Sequence, residues 1–173
     1  MPIVIIEGPD LSGKSTAIEK LSKKLNSGFV LKNAYKPKDA DSVIFYQYES
    51  IIAGVMTYLD RQPDEIVILD RFYPSEAVYS ILRGYDELDS TETHNMETLC
   101  SGIGVKLIFI DTPVETLEDR YSKRGDEHIK LEQLRILKTR YDTFYDNCTL
   151  EKIRVDTTKA DWLDDAIAFI KEV

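Results

Sequence analysis

A chain of 173 residues, 43% hydrophobic and 31% charged, has room for one domain around one core. Its composition is that of an ordinary soluble globular protein, which excludes fibrous and disordered classes. The formal charge of −9 argues against a nucleic-acid polymer or an anionic membrane as partner, because surfaces that grip rows of phosphates are basic.

A small anionic ligand stays compatible, since a few local Lys and Arg can hold phosphates against an acidic background. The N-terminal run from Met1 to Glu7 lacks a basic leader and a small-residue cleavage site, so it reads as a buried strand and not a signal peptide. No stretch approaches the length that spans a bilayer. Cys100 and Cys148 are far apart and lack a metal-ligand pattern, so neither a disulfide framework nor a zinc site is expected. A reducing cytoplasm is the expected location.

Taken in chain order, apolar runs at Ile3 to Glu7, Ile66 to Asp70, Val105 to Asp111 and Ile153 to Asp156 predict strands, with a less pronounced one at Phe29 to Leu31. Each is continuous and not alternating, the mark of strands covered on both faces. A parallel sheet sandwiched by helices follows. Between the second and third strands, Ile44, Tyr48, Ile51, Val55 and Leu59 fall at helical spacing and predict a helix over residues 42–62. Asp89 and Glu92 predict the start of a helix reaching about Cys100. Thr112-Pro113-Val114-Glu115 predicts a capped start for one leading to Arg120. Leu131 to Asp146 and Trp162 to the C-terminus complete the set. The loops Lys32 to Asp41, Arg83 to Asp89 and Lys123 to Lys130 are where substrate contacts are expected.

Gly8-Pro9-Asp10-Leu11-Ser12-Gly13-Lys14-Ser15 fits the G-x-x-x-x-G-K-[ST] phosphate loop, between a strand and a helix as that loop requires. The glycines let backbone N–H groups turn toward phosphate oxygens. Lys14 supplies a point charge to the β and γ phosphates, and Ser15 offers a hydroxyl to Mg²⁺. The helix N-terminus adds partial positive charge. Asp70, at the C-terminal end of a predicted strand, suits a water of the Mg²⁺ shell, and Arg71 can fork onto a phosphate. Arg120, Lys123 and Arg124, followed by Gly125-Asp126, form a basic segment. It is either a lid that neutralises transferring oxygens or a solvated helix end.

Together these elements make the chain resemble the thymidylate kinase family of nucleoside monophosphate kinases, especially compact virus-encoded members. The resemblance rests on Glu7-Gly8-Pro9-Asp10 leading into Gly13-Lys14-Ser15-Thr16, on Asp70-Arg71-Phe72 with Ser75 and Tyr79, and on Arg120-Tyr121-Ser122-Lys123-Arg124-Gly125. It implies a P-loop three-layer α/β/α sandwich, with a central, mainly five-stranded parallel sheet and a lid at about residues 120–130 of one 173-residue domain. It further implies ATP as donor with Mg²⁺, a deoxynucleoside monophosphate (dTMP-like or broader) as acceptor, a role in nucleotide biosynthesis, and a homodimer by analogy.

By the same resemblance, residues 8–16 hold ATP (Gly8, Pro9, Asp10, Leu11, Ser12, Gly13, Lys14, Ser15, Thr16). Asp10 contacts the acceptor sugar, Arg71 its phosphate and Tyr79 the sugar face, while Arg120 and Arg124 bridge the phosphates. Lys14, Arg71, Arg120 and Arg124 are then the catalytic set, and Ser15 with Asp70, through water, the metal set.

The sequence also departs from the family. Tyr35-Lys36-Pro37-Lys38 offers lysines where the family has an arginine fork, and the two are not equivalent on phosphate. The helix over residues 42–62 lacks the base-directed arginine and offers Tyr46, Gln47 and Tyr48. Gln47 suits a base edge or simple packing equally well. A deoxynucleoside kinase is the nearest rival, loosely matched by Phe45 to Gln47; its catalytic Glu is missing from residues 29–41, where only Asp39 and Asp41 stand. Thr158-Lys159-Ala160-Asp161 resembles a guanine-reading motif of GTP switches, although a turn with Asp161 capping the last helix explains it as well. A DNA-directed kinase is disfavoured by the acidic balance.

Overall fold

The computed structural model describes residues 3–25, 29–32, 43–84, 86–126 and 129–172. Five strands, β1 (Ile3–Glu7), β2 (Phe29–Lys32), β3 (Val67–Asp70), β4 (Lys106–Ile110) and β5 (Glu151–Val155), form one parallel sheet in the order β2-β3-β1-β4-β5. The expected five-stranded parallel sheet is thus found, with each strand within a residue or two of its predicted position. Seven α-helices among the described residues connect or flank it: α1 (Lys14–Leu25), α2 (Val43–Arg61), α3 (Tyr73–Tyr79), α4 (Thr91–Gly102), α5 (Val114–Arg124), α6 (Leu131–Asn147) and α7 (Trp162–Lys171).

Alternation along β1 distributes the core to both faces of the sheet. Ile3 and Ile5 join the cluster built with Tyr48, Val55, Met96, Leu134 and Tyr141, whereas Val4 and Ile6 join Ala17, Leu21, Trp162 and Phe169 under α1 and α7. Every residue of β1 and β4 is buried, which is why, apart from Glu7 and Lys106 at their ends, their sequences read as unbroken apolar runs. The α2 stripe is present through Tyr48, Val55 and Leu59, with Ile52 more buried than Ile51; the side chain of Ile44 lies outside the described residues.

Register sets the site. Ile6 of β1 stands opposite Asp70 on one side and Ile108 on the other, so the C-terminal ends of three strands are level. The segments that follow them, at Gly8, Arg71 and Thr112, meet at one edge, where ligands bind in open α/β sheets.

Helix starts differ from expectation in detail. Ser90, not Asp89, caps α4 by accepting the Thr93 N–H at 3.1 Å. Thr112 does not cap α5, because its hydroxyl donates to the Ser12 carbonyl at 2.9 Å and so ties β4 to the phosphate loop. Asp161 holds the N-cap position of α7 but makes no side-chain cap bond. Two cations close helix ends from a distance, satisfying terminal carbonyls. Lys106 donates to the Phe169 and Glu172 carbonyls at 2.8 and 2.7 Å, and Arg140 of α6 donates to the Val78 and Ala77 carbonyls of α3 at 2.8 and 3.0 Å. Among the described residues no helix is long and apolar enough to cross a membrane.

Candidate active site

The phosphate loop leaves β1 through Gly8 and enters α1 at Lys14. Gly8 has φ of 153°, and a Cβ there would stand 2.9 Å from the Ile110 carbonyl oxygen and 3.2 Å from the Ile110 Cβ. Backbone angle and backbone contact both demand glycine. Gly8→Ala is therefore expected to cost about 2 kcal/mol or more of folding stability, read by denaturant unfolding; an unchanged midpoint would contradict this packing. Leu11 is held at φ of 66°, a conformation that costs a non-glycine residue roughly 1 kcal/mol or more. Its carbonyl accepts a 2.6 Å hydrogen bond from Arg120 Nη1.

A cleft of about 440 Å³ opens over this loop. Asp10, Lys14, Ser15 and Thr16 line it from below, and Arg120 and Arg124 line it from α5. The helix α1 points its N-terminal amides at the same space, which suits an anion. Lys14 is buried, and burial, followed by the Arg71 charge, lowers its pKa to about 8 despite Asp10, Glu7 and Asp70 nearby.

Beneath the cleft lies a polar network. Arg71 has φ of 65° and donates its backbone N–H to the Ile6 carbonyl at 3.2 Å. Its Nη2 donates to Asp10 Oδ1 at 2.6 Å and to the Tyr79 hydroxyl at 3.3 Å, while Tyr79 donates to Asp10 Oδ2 at 2.6 Å. Nη1 donates to the Tyr141 hydroxyl at 2.7 Å and to Ser75 Oγ at 2.9 Å. Burial pushes the Asp10 carboxyl up, but Arg71, the Tyr79 hydrogen bond and Lys14 hold it below its ordinary value. Glu7 is buried, and burial raises its pKa against the opposing pull of Arg71, the Phe72 N–H, Ser75 and Lys14.

Most predicted site residues converge here. Asp10, Arg71 and Tyr79 are mutually hydrogen-bonded, and Lys14 sits among their charges. Arg120 and Arg124 occupy the last turns of α5, so the basic side chains are on a helix and the connection to α6 begins only at Gly125. Asp70 ends β3, half-buried, and Ser15 is exposed on the first turn of α1. Hydroxyl and carboxylate oxygens suit a hard cation such as Mg²⁺, and the sheet register sets Asp70 opposite Ile6, just before the loop leaves β1. Gln47 is half-buried on α2 beside Tyr48, whose ring meets Phe72 at 4.6 Å, but Gln47 is not hydrogen-bonded into the network. Tyr35, Lys36, Pro37, Lys38, Asp39 and Asp41, and the side chains of Phe45 and Tyr46, lie outside the described residues. Thr158 to Asp161 form the turn between β5 and α7, with the Thr158 N–H and hydroxyl both donating to Asp156 Oδ1.

Sequence reasoning missed the role of Tyr141, which lies 70 positions from Arg71 on the buried stripe of α6. A tyrosine at a fully buried helix position needs a hydroxyl partner, and that is the one signal that could have singled it out. Thr112 was similarly hidden behind its resemblance to a helix cap.

No protein-family model matches the chain. It is 25% identical over 169 residues, 97% of its length and 95% of the relative's, to the SPbeta prophage-derived uncharacterized protein YorR of Bacillus subtilis. Among solved structures it is similar to YorR in complex with phosphorylated GDP, at a TM-score of 0.73 and 24% identity, covering 97% of this chain and 94% of that one. It is also similar to deoxyadenosine kinase from M. mycoides, solved with the products dCMP and dCDP, at a TM-score of 0.61 and 20% identity over the full length of both chains. The same kinase with bound dATP aligns at a TM-score of 0.55 and 18% identity, over 98% and 99% of the two chains. The chain thus has the α/β fold, with its five-stranded parallel sheet flanked by helices, of P-loop nucleoside kinases.

Proposed function

We propose that the protein transfers the γ-phosphate of ATP to the 5′-phosphate of a deoxynucleoside monophosphate, dTMP-like or broader. The observation that carries this reading is the commitment of the acid groups around Arg71. Both oxygens of Asp10 are engaged at 2.6 Å, by Arg71 and by Tyr79, and its pKa is lowered. Glu7 accepts from the Phe72 N–H, the Ser75 N–H, Ser75 Oγ and Tyr141. Neither is suited to take a proton from a sugar hydroxyl. A phosphate monoester needs no such base, because it brings an ionised oxygen of its own.

In this reading Lys14 and the loop amides hold the donor phosphates, Arg71 orients the acceptor phosphate, and Arg120 with Arg124 neutralise the oxygens in transfer. Mg²⁺, when bound, neutralises charge on the donor phosphates; Ser15 and, through a water, Asp70 would hold it. Asp10 and Tyr79 meet the acceptor sugar once a phosphate takes their place on Arg71. The likeness in fold to deoxyadenosine kinase from M. mycoides supports a second reading, a free deoxynucleoside as acceptor. An ADP-release screen across deoxynucleoside monophosphates, their ribo forms and free nucleosides decides between them. Turnover with monophosphates is expected, and turnover with free nucleosides alone would replace the first reading by the second.

The lowered pKa of Lys14 gives a pH signature. Bound phosphate favours the charged lysine, so the free protein must take up a proton to bind MgATP once pH exceeds about 8. Affinity should then fall as pH rises, by up to about tenfold per pH unit above that point. Calorimetric titration between pH 7 and pH 9.5 or so measures it, and a flat profile would contradict the environment assigned to Lys14.

A further inference from the structure

The guanidinium of Arg71 has two edges of different character. Nη1 donates to the hydroxyls of Tyr141 and Ser75, and these donate in turn to Glu7 Oε2 at 3.1 and 2.7 Å. Glu7 and Tyr141 are each 1% exposed, so the far end of that chain is buried. Nη2 donates to Asp10, whose side chain is 29% exposed and lines the phosphate cleft. One edge is anchored on neutral hydroxyls backed by a buried carboxylate. The other rests on a partly solvated anion that another anion entering the cleft can displace.

Tyr141 is itself well fixed. Its ring stands 5.7 Å from Phe109 and 6.1 Å from Tyr79, centre to centre. The preceding residue, Arg140, ties α6 to the end of α3, the helix that carries Ser75 and Tyr79.

We propose that Tyr141 is a positioning residue, whose hydroxyl pins the Nη1 edge of Arg71 to Glu7 while Nη2 exchanges Asp10 for the phosphate of the acceptor. The inference rests on the kinase reading above and deepens it by assigning how the acceptor arginine is kept aimed. An arginine pinned at one edge loses little rotamer freedom on binding, and its fork meets phosphate in a set orientation.

Tyr141→Phe keeps the ring packing and removes the hydroxyl alone. In steady-state ADP-release assays, kcat/KM for the acceptor should fall about tenfold or more, while KM for MgATP stays within about twofold of the wild type. In an Arg71→Lys background the same change should add little, because the pinned edge is already lost. Should Tyr141→Phe not fold, Ser75→Ala breaks the same edge and carries the same expectation. Equal losses in both backgrounds, or acceptor constants unchanged in Tyr141→Phe, would overturn the positioning role and leave the kinase reading standing. A wild-type protein that releases no ADP with any acceptor would sink the kinase reading and this inference with it.

Discussion

Lys14→Ala is expected to lower kcat/KM for MgATP by about a hundredfold or more, a loss on the order of 3 kcal/mol of transition-state stabilisation. The lysine is buried at the start of α1, among Glu7, Asp10, Asp70 and Arg71. Without it the phosphates would meet the loop amides, the two α5 arginines and the exposed Lys20, none of which supplies a buried, fixed charge at the loop. Stability should not fall in parallel. The depressed pKa means that burial and the Arg71 charge together penalise the charged lysine by more than its carboxylate neighbours repay, so removing the charge relieves a cost. Lys14→Met, which keeps the apolar stem, should therefore lose activity while unfolding near the wild-type temperature. Activity within a few-fold of wild type would contradict the assigned role.

Arg71→Ala should be at least as damaging, again about a hundredfold or more in kcat/KM for the acceptor, but its effect will reach the fold. The guanidinium is the shared donor for Asp10, Ser75, Tyr79 and Tyr141. Removing it takes from the Asp10 and Glu7 carboxylates the cation whose charge both feel, and a buried charge stripped of its partner typically costs about 3 kcal/mol or more. Here the figure is smaller, because Asp10 is partly solvated. Arg71→Lys separates the two effects. It retains the charge but not the fork that serves both edges at once, so it should stay folded and still lose about tenfold or more in acceptor kcat/KM. Acceptor kinetics within a few-fold of wild type in Arg71→Lys would show that the fork geometry is not used.

What the sequence made legible was whatever is local. The strands of a covered parallel sheet announce themselves as short apolar runs, and the phosphate loop is a contiguous motif whose backbone demands, at Gly8 above all, are written in the residues themselves. Asp70-Arg71 was legible because it ends a strand. Contacts between distant segments were not. Thr112 looked like a helix cap because Thr-Pro-x-Glu is a good local start signal, yet its hydroxyl finds a better partner 100 positions away at Ser12. Tyr141 looked like core packing, which it also is; only the folding of α6 against α3 reveals its hydroxyl as part of the Arg71 network. Glu7 stood in the motif without a task, and its four donors become visible only when the β3 to α3 turn is brought against β1.

The account stands on the loop from Gly8 to Ser15 binding a nucleoside triphosphate. Isothermal titration of the purified protein with MgATP near pH 7.5, paired with the same titration of Lys14→Met, tests that directly. We expect saturable binding at a single site in the wild type and a loss of affinity of about a hundredfold or more in the variant. No measurable binding by the wild type, or equal binding by both proteins, would contradict it.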